Sequence, residues 1–152
     1  MDRLDYAIKM EREVERYYRE LADQEQKSTD KDHKLPGNEK GKLRSVFLVI
    51  ADEEKTHADL LRDISNHLPY ILSNTHSESK NIFDEVGKYK IGFDKSPEAL
   101  IRFRTALEKE EECIRTYREY LSSSNDSNER EILQFIIEQE EDHMAIFQGL
   151  LQ

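Results

Sequence analysis

Apolar side chains recur along this chain in alternating steps of three and four, the spacing of one buried stripe on an α-helix. Leu4, Ala7, Val14, Tyr18 and Leu21 mark the first such segment. Leu43, Phe47, Ile50, Leu61, Ile64 and Leu68 mark the second, and Ala99, Phe103, Ala106, Cys113, Tyr117 and Tyr120 the third. Leu133, Ile136, Phe147 and Leu150 mark the fourth. Four stripes of this kind predict an all-α chain whose helices cross at shallow angles in a four-helix bundle.

The residues between the stripes agree. Lys27 to Lys40 is polar, contains Pro36-Gly37 and predicts a loop. Pro69 closes the second helix, because proline cannot continue the backbone ladder. Ser96-Pro97-Glu98 predicts a helix start, with a serine cap, proline in the first turn and an acid at the positive end of the dipole. Ser122 to Asn128 predicts a short turn, followed by Glu129 at the start of the fourth helix. The stretch from Tyr70 to Lys95 is long for a connection. The second helix measures roughly 40 Å at about 1.5 Å per residue. An extended chain covers about 3.3 Å per residue, so this stretch can return to the far end of the bundle. A crossover leaving the second and third helices parallel is therefore expected, with Ile82, Phe83, Val86, Tyr89, Ile91 and Phe93 packing it against the bundle.

Six polar residues occupy positions on these stripes: Glu11, Glu54, His57, Glu110, Glu140 and His143. They form two echoes. Glu54-Lys55-Thr56-His57 matches Glu140-Glu141-Asp142-His143, and Ala7-x3-Glu11-x6-Tyr18 matches Ala106-x3-Glu110-x6-Tyr117. Register separates these acids from their neighbours. Of Glu108, Glu110, Glu111 and Glu112, only Glu110 is in step with Phe103, Ala106 and Cys113; of Glu138, Glu140, Glu141 and Asp142, only Glu140 is in step with Ile136 and Phe147.

An ionised carboxylate buried without partners costs several kcal/mol, and four facing one another repel and protonate. Two divalent cations remove the conflict, four negative charges meeting four positive ones. Glutamate at i and histidine at i+3 share a helix face, so each motif can hold a metal with two side chains, the other two glutamates bridging or capping the pair. Oxygen and imidazole ligands without thiolates suit iron or manganese rather than calcium or structural zinc. The competing arrangement is a buried salt-bridge network with protonated histidines, although no Lys or Arg lies on the stripes to balance it. Tyr18 and Tyr117, two turns beyond Glu11 and Glu110, either donate to a ligand carboxylate as participants in the site or are ordinary aromatic core. Cys113 reads as a small buried apolar residue; His33, His67 and His76 fall in or near connections.

Composition narrows the functions. The chain has 152 residues, the size of one domain spanning 1–152. Charged residues make up 37% against 36% hydrophobic, which with regular apolar spacing means helices with solvated outer faces, not disorder. A formal charge of −10 argues against nucleic-acid partners, and the longest apolar run, Val46 to Ala51, is too short for a membrane span. A polar N-terminus predicts no secretory signal. The lone cysteine excludes an internal disulfide, and a cytoplasmic location is the expectation.

With these residues in view, the chain resembles the di-iron domain of the rubrerythrins, in the ferritin-like superfamily, from roughly Leu4 to Leu151. The resemblance implies a ferritin-like four-helix bundle with a long crossover between helices 2 and 3. It also implies that Glu11, Glu54, His57, Glu110, Glu140 and His143 ligate two iron ions, or manganese. The chain departs from rubrerythrins proper in having no four-cysteine iron-thiolate module, so electrons would come from a separate donor protein. Cys113 stands where many members carry a further glutamate, and the carboxylate switch of their peroxidase chemistry is therefore not implied. Bacterioferritins share the ligand set, but Lys55 replaces their haem methionine, so haem is not implied either. The function this suggests is a soluble di-iron oxidoreductase acting on peroxide or O2, as a homodimer. Two others stay open: a ferroxidase that stores iron, and a structural or regulatory bundle without turnover.

Overall fold

The computed structural model describes residues 2–31, 41–66 and 96–152. Four helices appear there: α1 (Arg3–Lys31), α2 (Lys42–Ser65), α3 (Pro97–Ser123) and α4 (Ser127–Leu150). No strand occurs among the described residues. The expected crossover, Leu68 and Pro69 lie outside them.

The helix starts follow local chemistry. Gly41 caps α2 from the left-handed region, φ 84°, where glycine carries no steric cost. Ser96 Oγ accepts from the Ala99 N–H at 3.2 Å, and Pro97 occupies the first turn of α3, as the sequence predicts. Asp126 Oδ1 accepts from the N–H groups of Asn128 and Glu129 at 2.9 and 3.1 Å, fixing the start of α4. Two boundaries differ from expectation. α1 continues to Lys31 through residues assigned to a loop; polar composition alone does not end a helix, and no Gly or Pro intervenes before Pro36. α2 stops at Ser65, where the Asn66 N–H returns to the Arg62 carbonyl at 2.9 Å, ahead of Pro69.

Partners across the bundle give the topology. Tyr18 pairs with Glu110 and Tyr117 with Glu11, so α1 and α3 are antiparallel. His57 meets Glu140 and His143 meets Glu54, so α2 and α4 are antiparallel. Arg19 meets Asp52 while Glu11 meets His57, making α1 and α2 antiparallel as well. α2 and α3 therefore run parallel, the direction a crossover requires. α1 packs chiefly on α2, and α3 on α4.

The core divides into two plugs with the polar residues between them. Toward one end Tyr18 stacks on Phe147 with centroids 5.6 Å apart, Phe147 stacks on Phe47 at 6.1 Å, and Phe103 closes the cluster. Toward the other lie Leu61, Ile132, Leu133 and Ile136, all fully buried. Side chains of this size each contribute about 1.5–3 kcal/mol when buried. The two plugs enclose the polar residues and keep bulk water from them.

Candidate di-metal centre

All six stripe residues, Glu11, Glu54, His57, Glu110, Glu140 and His143, are 0% exposed. The structure brings them together at mid-bundle, one glutamate from each helix and one histidine each from α2 and α4. The arrangement has approximate twofold symmetry. His57 Nδ1 lies 2.8 Å from Glu140 Oε1, 3.5 Å from Glu11 Oε1 and 3.7 Å from Glu54 Oε2. His143 Nδ1 lies 2.9 Å from Glu54 Oε1, 3.5 Å from Glu110 Oε1 and 3.8 Å from Glu140 Oε2. The imidazole centroids are 6.2 Å apart.

Two sets of four follow: Glu11, Glu54, His57 and Glu140; and Glu54, Glu110, Glu140 and His143. In each set one donor atom per residue lies within 4.8 Å of all the others. Glu54 and Glu140 belong to both sets, whereas Glu11 and Glu110 belong to one each. The glutamates of the Glu-x-x-His motifs are thus shared by the two sets, and those of α1 and α3 each complete one.

Protons alone satisfy this cluster poorly. Glu11 Oε2, Glu110 Oε2, both oxygens of Glu54 and of Glu140, and both histidine Nδ1 atoms are buried without a properly directed hydrogen bond. No Lys or Arg is among the buried polar residues described. Burial, then the neighbouring acids, pushes the Glu54 and Glu110 carboxyls well above the usual carboxylate range. For His57 and His143 burial opposes the charged form, but the surrounding carboxylates outweigh it and raise both imidazoles. Glu140 goes the other way. Burial would raise it, yet the close approach of Glu110, His143 and His57 holds it well below the ordinary value. Eight orphaned donor atoms converging in two sets of mixed oxygen and nitrogen character fit a pair of divalent ions.

Both sequence-flagged tyrosines face this cluster. Tyr117 donates to Glu11 Oε1 at 2.5 Å, and Tyr18 donates to Glu110 Oε1. Burial, followed by the adjacent acid, raises both phenols, so they remain protonated donors. Cys113 is buried one turn beyond Glu110; burial, then the four acids, raises its thiol.

Two buried residues escaped the sequence reading. His143 Nε2 lies 2.9 Å from Glu53 Oε1, and His57 Nε2 lies 2.5 Å from Gln139 Oε1. A signal was present. Glu53 falls midway between buried Val46 and Leu60, and Gln139 midway between buried Ile132 and Ile146, so each is a polar residue inside a buried heptad row.

A four-helix bundle enclosing symmetric carboxylate and imidazole sets defines the class of ferritin-like di-metal proteins. Within it, the family model described as rubrerythrin matches residues 2–151, and the chain belongs to the rubrerythrin family. No curated protein and no solved structure matches it. Among the described residues no helix is long and apolar enough to cross a membrane.

Proposed function

We propose that this chain is an oxidoreductase that holds two iron ions among Glu11, Glu54, His57, Glu110, Glu140 and His143 and reduces a peroxide or O2 with electrons from a separate donor. The convergence of orphaned carboxylate and imidazole atoms in two overlapping sets carries this reading; family membership supports it. When bound, two ferrous ions supply two electrons, the number needed to cleave a peroxide O–O bond.

The protein's own share is geometric and electrostatic. Glu54 and Glu140 belong to both sets and would serve both ions. Glu11 and Glu110 keep one orphaned oxygen each, while a tyrosine hydroxyl restrains the other. The aromatic plug excludes bulk water on the Tyr18 side. A pocket of about 150 Å³ opens between α1 and α3, bordered by Tyr6, Lys9, Met10, Glu13, Lys109 and Glu112, with buried Val14 and Cys113 beneath. Cys113, at the floor of this pocket, lies one turn beyond Glu110 and is itself buried.

Stopped-flow mixing of the anaerobic, iron-loaded chain with hydrogen peroxide tests the proposal. The expected result is one peroxide consumed per two irons, with an absorbance rise that an added reductant reverses. Iron that is inert to both peroxide and O2 would overturn it. Continued uptake of many irons per chain would favour storage instead.

A further inference from the structure

We propose that the two metal positions are chemically unequal, the one beside His143 being the tighter, because Glu53 and Gln139 back the two histidines with different acceptors. This rests on the di-metal reading above.

The ligands themselves are matched across the pseudo-twofold; their supports are not. His143 Nε2 faces a carboxylate oxygen of Glu53, and His57 Nε2 faces the amide oxygen of Gln139. A third contact joins the supports, Gln139 Nε2 lying 3.4 Å from Glu53 Oε2. That contact orients the amide. Its nitrogen faces a carboxyl oxygen of Glu53, which turns its carbonyl toward His57. Both imidazoles therefore carry hydrogen on Nε2, and on metal loading the proton on Nδ1 would be the one given up, leaving that nitrogen as the ligand atom. The result is a buried chain, His57–Gln139–Glu53–His143, running from one imidazole to the other.

A carboxylate that accepts from an imidazole N–H enriches the ring in electrons and strengthens its other nitrogen as a donor. A neutral amide carbonyl does so less. Changes in such supports typically alter metal affinity by about 10–100-fold. Glu53 and Gln139 are thus positioning residues that touch no metal, yet set which position fills first.

Crystals grown with one equivalent of Co(II) per chain test this through the anomalous signal at each position. The expected result is occupancy beside His143 exceeding that beside His57 by about tenfold or more. Glu53→Gln, which leaves amides on both sides, should even the two occupancies. Gln139→Leu removes the acceptor of His57 and should widen the preference; it provides an independent reading if Glu53→Gln does not fold. Equal occupancy in the parent chain, or a preference that survives Glu53→Gln, would overturn the inference. Failure of Co(II) to appear at either position in excess metal would overturn the di-metal reading itself.

Discussion

The Tyr117 hydroxyl reaches across from α3 to donate to Glu11 on α1, and Tyr18 returns the same bond from α1 to Glu110 on α3. Each helix thus supplies one buried carboxylate and the hydroxyl that steadies the carboxylate of its partner. This reciprocity explains why the tyrosines recur seven residues after their glutamates: with antiparallel helices, equal spacing brings both pairs into register at once.

Tyr117→Phe removes one hydroxyl from a site whose ring remains packed. Metal affinity should fall by about 10–100-fold, while the far-ultraviolet circular dichroism stays unchanged. Tyr17→Phe is the control. The Tyr17 hydroxyl donates to the Arg102 carbonyl at 2.9 Å, so its loss should leave affinity as it was. Competition with a chromogenic chelator reads both variants.

Stability of the metal-free chain should decline as pH rises. Glu54 and Glu110 hold their protons above the ordinary value of 4.5, and His57 and His143 above 6.5. Above the ordinary carboxylate value the folded chain therefore binds more protons than the unfolded chain. The stabilisation from the histidines is complete below 6.5 and is lost as pH passes through their raised values. Glu140 has the opposite sign: its contribution is present above 4.5 and disappears only as pH drops through its lowered value. The metal-free melting temperature should accordingly be higher at about pH 5.5 than at about pH 8. Metal loading should reverse that order, because the ions take the place of the protons. Thermal scans with and without chelator test both halves.

Substitution at adjacent positions on α3 should separate site from surface. Glu110→Gln removes a buried carboxylate that is costly without metal, so the metal-free variant should melt a few degrees above the parent at about pH 8, the shift about 1 kcal/mol produces in a domain of this size. The same change should abolish tight binding of one of the two metals. Glu111 is exposed, and Glu111→Gln should alter neither quantity. Equal metal loss in the two variants would mean that the inward face of α3 has been misassigned.

The bundle was legible because its apolar stripes are long and regular, and the centre because Glu11, Glu54, Glu110 and Glu140 each interrupt a stripe at mid-helix. Polar residues inside an apolar period are conspicuous. Lys27 to Lys31 misled because a helix and a loop can share a polar composition; only a breaker tells them apart, and none comes before Pro36. Glu53 was hidden for a related reason. It directly precedes Glu54, and a single inward line per helix leaves no place for it, whereas a bundle helix buries a wider face. Gln139 was missed in the same way. Glu25 is another instance: it is 4% exposed, four residues beyond Leu21 on the α1 stripe, yet looks like one more surface acid in the sequence.

Anaerobic calorimetric titration of the metal-free chain with Fe(II) addresses the central claim most directly. About two ions should bind per chain, with proton release whose measured heat changes with the ionisation enthalpy of the buffer. A chain that takes up no Fe(II), or whose binding survives Glu140→Ala undiminished, would contradict the claim that this buried cluster exists to hold metal.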